Sequence, residues 1–185
     1  KTLAVLRERI NIVERLMSEN RWDEIEFDKI PSRAGMIYKN AFARHDLERV
    51  QSEKNVVSYA DFAKDKDTKV NAKALYPYEC VAEALKLFRT GSYWNMRELP
   101  AMDDTTRLMV NKYWENLTDY FNGATFNGIA VVDTSGSMVR DDAAAPINVA
   151  ISLGLYCAER AQGPFAGNYI SFASRPQLIK TEGVD

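Results

Sequence analysis

The chain has 185 residues, of which 46% are hydrophobic and 27% charged, and its formal net charge at pH 7 is −2. This composition is typical of a globular protein and is unlike that of a disordered chain. No stretch approaches the roughly twenty apolar residues of a membrane span, and no signal-peptide pattern opens the sequence, so we expect no membrane segment. Because the sequence begins with Lys1 rather than Met and stops abruptly, we expect it to be a piece of a longer protein.

Two cysteines, Cys80 and Cys157, lie in separate helical patterns without a CxxC motif or paired histidines. Free thiols in a reducing compartment are the favoured interpretation, and a disulfide is the alternative. We therefore predict a cytoplasmic protein.

Nearly every periodic segment before residue 122 is helical. Residues 2–19 place apolar side chains three and four positions apart, which predicts an amphipathic helix. The other predicted elements are a helix over 32–51 capped by Ser32, a short helix opened by the capping box Ser58-Tyr-Ala-Asp61, a loop over 65–73, and helices from Pro77 to about Arg89 and from Thr105 to Phe121. These predict a helical bundle or helical-repeat-like domain over 1–122, with a boundary near 122–127.

Four basic side chains in the second predicted helix are candidate RNA contacts: Arg33, Lys39, Arg44 and Arg49. A solvated helix face is the favoured alternative, because the twenty basic and twenty acidic residues up to Phe126 cancel. His45 is the only histidine, so we expect it to pack or to cap rather than to bind zinc or act as a base.

Residues 128–138, Gly-Ile-Ala-Val-Val-Asp-Thr-Ser-Gly-Ser-Met, are the most informative segment. Ile129 to Val132 is a short apolar run, which predicts a central parallel strand covered on both faces. Ligands of open α/β sheets bind at the carboxyl ends of such strands, where Asp133, Ser135 and Ser137 follow at alternate positions. One carboxylate with two hydroxyls suits Mg²⁺, or Mn²⁺ or Ca²⁺, and the remaining ligands must come from water, other loops or a partner.

The pattern Asp-x-Ser-x-Ser after an apolar strand resembles the first loop of the metal-ion-dependent adhesion site in von Willebrand factor A domains. The order of a helix over 144–161 and a strand over 169–173 is similar too. The resemblance implies that Ser135 and Ser137 ligate the metal directly and that Asp133 reaches it through water. The family completes its site with a Thr and an Asp from two later loops, which this sequence does not contain, so the site is expected to be incomplete and the metal weakly held or absent.

By this resemblance, residues 127–185 are the N-terminal half of a von Willebrand A-like α/β domain, with a partial doubly wound parallel sheet truncated at the C-terminus. We expect that an incomplete sheet either exposes an edge or borrows strands from another chain, for example in a homo-oligomer. The helix over 144–161 is broadly apolar, which predicts that the sheet and a neighbour both cover it, with Gly154 allowing close approach.

Two alternatives to a metal loop remain open. Asp, Ser and Gly are also ordinary residues of a strand-to-helix turn and an N-cap. Phosphotransferases of the haloacid dehalogenase type place a nucleophilic Asp after a similar strand, but they need a second carboxylate where Ser135 stands. No Ser-His-Asp set, Walker loop or zinc cluster is present, so we predict no catalytic residues and no organic cofactor.

A second resemblance covers most of the chain. The segments Ile30-Pro-Ser-Arg-Ala34 and Ala72-Lys-Ala-Leu-Tyr-Pro-Tyr-Glu79, followed by the metal loop, resemble an uncharacterised family of domain-of-unknown-function proteins. That family is similar in layout to the Ro autoantigen, in which a helical TROVE module that binds RNA precedes a von Willebrand A domain. The sequence thus predicts a non-catalytic module that uses Mg²⁺ to bind an acidic group on protein or RNA, with a Ro-like RNA-binding component and an aspartate phosphotransferase as alternatives.

Overall fold

The computed structural model describes residues 6, 9, 12–51, 56–89, 103–140 and 144–181. Its described residues form two compact units: one contains 12–51, 56–74 and 103–116, and the other contains 75–89, 117–140 and 144–181. The predicted layout of a helical N-terminal region followed by an α/β region is confirmed. Within these ranges, no helix combines the length and apolar character that crossing a bilayer requires.

The first unit is helical. Its α-helices are α1 (Val13–Ser18), α2 (Ser32–Arg44), α3 (Asp46–Val50), α4 (Tyr59–Lys64) and α6 (Asp104–Glu115), with short 3₁₀ turns at Trp22–Glu24 and Phe27–Lys29. Of the helix predicted over 2–19, only part lies within the described residues. The loop predicted over 65–73 is confirmed, since these residues form neither helix nor strand.

Aromatic rings form the centre of this unit. The ring of Phe27 lies 4.8 Å from that of Tyr59, 5.3 Å from that of Phe62 and 5.5 Å from that of Phe42. The helix start predicted at Ser58 is confirmed: the Ser58 hydroxyl accepts a hydrogen bond from the Asp61 amide at 2.9 Å and caps α4. The Asp61 carboxylate accepts a hydrogen bond from the same hydroxyl at 2.7 Å. The capped helix turns Tyr59 and Phe62 into the cluster.

The helix predicted over 32–51 is interrupted at His45, so α2 and α3 are separate. The His45 imidazole stacks on the Trp22 indole with ring centroids 4.0 Å apart, which confirms the expected packing role. The prediction that Ser32 caps the helix is wrong, because Pro31 occupies the cap position. The Ser32 hydroxyl instead contacts the Asn71 side chain at 3.1 Å and accepts a hydrogen bond from the Ala74 amide at 3.3 Å.

Helix α6 ends at Glu115 rather than at Phe121. Asp103 caps its first turn by accepting a hydrogen bond from the Thr106 amide at 2.9 Å. The residues beyond Asn116 form turns held by polar contacts: Asp119 accepts hydrogen bonds from the amides of Phe121 and Gly123 at 3.0 and 2.8 Å. These contacts replace helical hydrogen bonds and stop the helix early.

The second unit contains α5 (Pro77–Arg89), α7 (Pro146–Arg160) and a sheet of β1 (Ala130–Asp133), β2 (Asn168–Phe172) and β3 (Gln177–Lys180) in the order β1-β2-β3. The predicted start of α5 at Pro77 is confirmed. Strands β1 and β2 are parallel, as predicted, and are joined through α7. Strand β3 runs antiparallel to β2 because only residues 173–176 connect them, too few for a parallel crossover.

Helix α7 packs between the sheet and α5, as its broad apolar surface predicts. At Gly154 it approaches β1 so closely that an added Cβ would lie 2.4 Å from Val132 Cγ2. On another side of α7, the buried Tyr156 donates a hydrogen bond to the Thr118 carbonyl at 3.0 Å and accepts one from the Tyr120 amide at 2.8 Å. The helix therefore links the sheet to the segment that leads into it.

The prediction of a central β1 covered on both faces is wrong for the described residues. In the described sheet β1 is an edge strand, and although Val132 is buried under α7, Val131 points away and is 64% exposed. Among the described elements α7 covers only one face of β1, so its apolar run does not mean burial on two faces. Pairing of the free edge with another chain stays a prediction.

Candidate metal-binding loop

Strand β1 delivers Asp133 to the carboxyl end of the sheet, and the next residue joins the loop to β2. The Thr134 amide donates a hydrogen bond to the Phe172 carbonyl at 2.9 Å, and the Thr134 hydroxyl donates a second one to the same oxygen at 3.3 Å. Both bonds span 38 residues of sequence. The start of the loop is therefore tied to the neighbouring strand rather than only to its own.

The Asp133 carboxylate is half-buried and faces the loop. Its Oδ1 accepts a hydrogen bond from the Ser135 amide at 2.9 Å. Hydrogen bonds from the side chain and the amide of Ser135 hold the pKa of Asp133 below its usual range, although partial desolvation opposes them. Asp133 is therefore ionised at neutral pH and accessible from solvent.

The two serine hydroxyls converge. Ser135 Oγ and Ser137 Oγ lie 3.1 Å apart at the start of a single 3₁₀ turn, Gly136–Met138. Ser135 occupies the cap position of that turn without a side-chain capping hydrogen bond, and Ala145 occupies the cap position of α7. The alternative in which these hydroxyls serve as helix caps therefore lacks its hydrogen bonds.

The donor set fits a hard cation. Ligands at adjacent corners of a Mg²⁺ octahedron, each about 2.0–2.1 Å from the metal, lie roughly 3 Å apart. The separation of the serine oxygens, 3.1 Å, matches one edge of that octahedron. Within the described part of the chain no group of three or more His, Cys, Asp or Glu residues could hold a metal, so the loop would supply one carboxylate and two hydroxyls.

The candidate RNA contacts do not form one basic surface. Lys39 is 4% exposed and its ammonium donates to the Met36 carbonyl at 3.1 Å. Arg49 is 7% exposed, donates to the carbonyls of Trp22 at 2.5 Å and Val57 at 3.0 Å, and lies over the Phe27 ring. Burial in such contacts argues against a phosphate-binding role for both.

The other two candidates are both exposed: Arg33 lies in the first turn of α2 and Arg44 near its C-terminus. The cysteines are both free, with Cys80 buried and Cys157 half-buried. Burial raises the pKa of the Cys80 thiol to about 12, so this side chain behaves as an apolar core residue. A cytoplasmic location stays a prediction.

Sequence reasoning missed Thr134 and Phe172 as parts of the loop's surroundings. Thr134 stands between two candidate metal ligands, and Phe172 lies in the strand predicted over 169–173. The motif itself holds no signal for either role, because both depend on the parallel pairing of Asp133 with Phe172. The strand predicted over 169–173, which the structure places at Asn168–Phe172, is the signal in the sequence that a second strand ends nearby.

Both halves of the sequence match known protein families. Residues 1–124 match a family described as a domain of unknown function, DUF2828. The chain belongs to the DUF2828 family. Residues 127–185 match a second domain of unknown function, DUF7788, and contain the whole candidate loop.

One curated protein similar to this DUF2828 member is the "Uncharacterized protein L728" of Acanthamoeba polyphaga mimivirus. It is 34% identical over 184 residues, which cover 95% of this chain. The chain spans 29% of the length of that relative. No solved structure matches the chain.

Proposed function

We propose that this protein is a non-catalytic binding module in which the loop of Asp133, Ser135 and Ser137 holds Mg²⁺, and that the metal binds an acidic group of a ligand. Mn²⁺ and Ca²⁺ share the preference for oxygen ligands and are expected to substitute. The observation that carries the proposal is the convergence of the two hydroxyls, 3.1 Å apart, beside an ionised carboxylate.

The resemblance to a von Willebrand A adhesion site supports this assignment. In such a site the metal keeps open positions, which an acidic group from the ligand fills. A parallel β1–β2 pair joined through α7, with an antiparallel strand at the edge, is compatible with part of a doubly wound sheet. The three oxygen donors of the loop leave at least half of an octahedral shell for water and ligand.

A protein ligand is the better candidate partner than RNA. The residues up to Phe126 carry no net charge, and Lys39 and Arg49, two of the four basic candidates, are buried. RNA binding relies on basic side chains that reach phosphates, and it weakens strongly with salt.

An aspartate phosphotransferase is a weaker candidate than a binding module. Such an enzyme needs a second carboxylate two residues after the nucleophile, and Ser135 occupies that position here.

Isothermal titration of Mg²⁺ into the chain tests the proposal. We expect Asp133→Ala to weaken Mg²⁺ binding by about 10- to 100-fold, the range for residues that reach a metal through an intervening group. The far-UV circular dichroism of the variant should be unchanged, because the carboxylate is only half-buried.

Ser174→Ala is the matched control, because Ser174 is an exposed serine just after β2 and outside the loop. It should bind Mg²⁺ as the parent chain does. Equal affinities of the parent chain and Asp133→Ala would contradict the proposal. So would Mg²⁺-dependent hydrolysis of p-nitrophenyl phosphate that disappears in Asp133→Ala, which would indicate a phosphotransferase.

A further inference from the structure

The segment that leads into β1 contains two Asn-Gly pairs, Asn122-Gly123 and Asn127-Gly128, and a phenylalanine precedes each pair. Asparagine followed by glycine is prone to spontaneous deamidation, because glycine has no Cβ to hinder the approach of its backbone nitrogen to the asparagine side chain. Both asparagines are exposed, so water reaches each of them. By sequence alone, the two pairs are equally reactive.

Deamidation of an Asn-Gly pair needs only the chain and water. The backbone nitrogen of the glycine loses its proton and forms a bond to Cγ of the asparagine, while the bond from Cγ to Nδ2 breaks and ammonia leaves. The product is a cyclic succinimide. Water then opens the ring at one of its two carbonyl groups, which yields aspartate or isoaspartate.

The structure restrains the first pair. The Gly123 amide donates a hydrogen bond to Oδ2 of Asp119 at 2.8 Å, and the Phe121 amide donates one to Oδ1 at 3.0 Å. These bonds, with that from Gly123 the strongest cause, hold the pKa of Asp119 below its usual range, so the carboxylate is ionised at neutral pH. An amide nitrogen that bonds a carboxylate loses its proton reluctantly, because two negative charges would then face each other.

The second pair has no such restraint. Of the residues that the structure describes, none accepts a hydrogen bond from the Gly128 amide or forms one with the Asn127 carboxamide. The carboxamide lies beside Gly163, at which an added Cβ would be 3.3 Å from Asn127 Oδ1. Since Gly163 has no side chain, the carboxamide keeps room to turn. The attacking nitrogen and the carbon that it attacks are therefore both unhindered.

We infer that Asn127 is a site of spontaneous deamidation in the folded chain, and that the Asp119 carboxylate protects Asn122 from the same reaction. The hydrogen bond to the glycine amide makes the difference between two otherwise identical Phe-Asn-Gly sequences. The inference is independent of the proposed function, because no step involves the metal loop.

The position of Asn127 gives the modification a structural consequence. Asn127 lies between the bridge that pairs Phe126 with Ala161 and the strand β1 (Ala130–Asp133). Isoaspartate adds one carbon to the main chain, and aspartate adds a negative charge. Formation of isoaspartate would therefore disturb the entry into the strand that carries the candidate loop.

Peptide mapping tests the inference. The chain is kept in mildly alkaline buffer, and samples are cleaved with chymotrypsin, whose cuts after Phe121 and Phe126 place the two asparagines on separate peptides. Mass spectrometry then measures the fraction of each peptide in which the carboxamide has become a carboxylate. We expect Asn127 to react at least about 10-fold faster than Asn122, the factor that a hydrogen bond to a charged acceptor contributes.

Two comparisons attribute this difference to the fold. In urea the two sites should react at similar rates, because each is Phe-Asn-Gly. In Asp119→Ala the Gly123 amide loses its acceptor, so deamidation of Asn122 should accelerate by about 10-fold while Asn127 keeps its rate. Asp119→Asn, which keeps an acceptor oxygen without the charge, should lie between the two and guards against a folding defect in the alanine variant.

Three results would overturn the inference about Asn127: equal rates at the two sites in the folded chain, a faster reaction at Asn122, or a folded chain in which neither site reacts although both react in urea. In the last case the fold would protect Asn127 as well. An unchanged rate at Asn122 in Asp119→Ala would overturn the protective role of Asp119.

Discussion

The two compact units use their polar side chains differently. In the helical unit, buried cations are satisfied by carbonyl and hydroxyl oxygens of the same unit: Lys112 donates to the Thr68 hydroxyl at 2.7 Å, to the Thr68 carbonyl at 3.0 Å and to the Asp65 carbonyl. In the sheet unit, the half-buried Asp133 carboxylate accepts a hydrogen bond from the Ser135 amide, and the hydroxyls of Ser135 and Ser137 contact each other.

This difference separates structural polar groups from functional candidates. A buried charge with several hydrogen bonds is fully occupied and has no capacity left for a ligand. Half-exposed oxygens that converge on one another have lone pairs left over for a cation. The number of basic residues in a helix is therefore a poor guide to ligand binding. What matters is whether their side chains already make hydrogen bonds within the protein.

Removal of the Lys112 ammonium should lower the free energy of unfolding more than any other change considered. Lys112→Ala leaves the oxygens of Asp65 and Thr68 without their donor and opens a gap in the packing, so we expect the free energy of unfolding to fall by about 2–4 kcal/mol. Urea denaturation followed by circular dichroism measures the change. Arg107→Ala in the same helix is the control: its guanidinium lies 3.8 Å from Asp104 at the surface, and its loss should cost under about 0.5 kcal/mol.

Close packing of α7 on β1 predicts the next effect. Gly154→Ala places a Cβ 2.4 Å from Val132 Cγ2, and we expect a loss of about 1–2 kcal/mol despite the better helix propensity of alanine. The double variant with Val132→Ala should recover part of the loss in a thermodynamic cycle. Simple additivity of the two substitutions would show that the contact is not the cause.

Thr134 should affect the loop more than the fold. Thr134→Val removes the hydroxyl that donates to the Phe172 carbonyl but keeps the amide that donates to the same oxygen. We expect Mg²⁺ affinity to drop by about 10-fold, the lower range for residues that orient metal ligands, with little change in the urea midpoint. Thr134→Ser keeps the hydroxyl and should bind Mg²⁺ normally; an equal drop in both variants would refute the positioning role.

The smallest expected effect is that of pH on Mg²⁺ affinity. Hydrogen bonds from Ser135 lower the pKa of Asp133, so its carboxylate stays ionised until the pH falls below the range in which an ordinary aspartate titrates. Mg²⁺ affinity measured between pH 8 and pH 5 should therefore be flat, and it should fall only in more acidic buffer. A midpoint near pH 6 would show that another group controls the site.

Periodicity and capping residues were enough to predict most helices, because these signals are local. The start of α5 at Pro77 and the capping box at Ser58 follow from neighbouring residues alone. The interruption at His45 and the early end of α6 could not be predicted in this way. The first involves stacking on Trp22, 23 residues earlier in the chain, and the second involves turns held by Asp119.

The candidate loop was partly predictable for the same reason. Asp133, Ser135 and Ser137 lie within five consecutive positions, so their chemistry is visible in the sequence. Their surroundings are not: Thr134 and Phe172 become neighbours only when β1 pairs with β2. The burial of Lys39 and Arg49 could not be predicted from the sequence either. A basic residue in a helical pattern is expected to face solvent, and only the tertiary structure shows the carbonyl groups that accept its hydrogen bonds.

By itself, the sequence determined that helices precede an α/β region and that a strand ends in closely spaced oxygen side chains, since both depend on residues near one another in the chain. Tertiary structure alone decided that β3 runs antiparallel, that α7 covers one face of the sheet and leaves Val131 and Phe172 open, and that the two serine hydroxyls meet. The physical reason is that strand pairing and helix packing join residues tens of positions apart, and exposure of a side chain is a property of everything that packs around it.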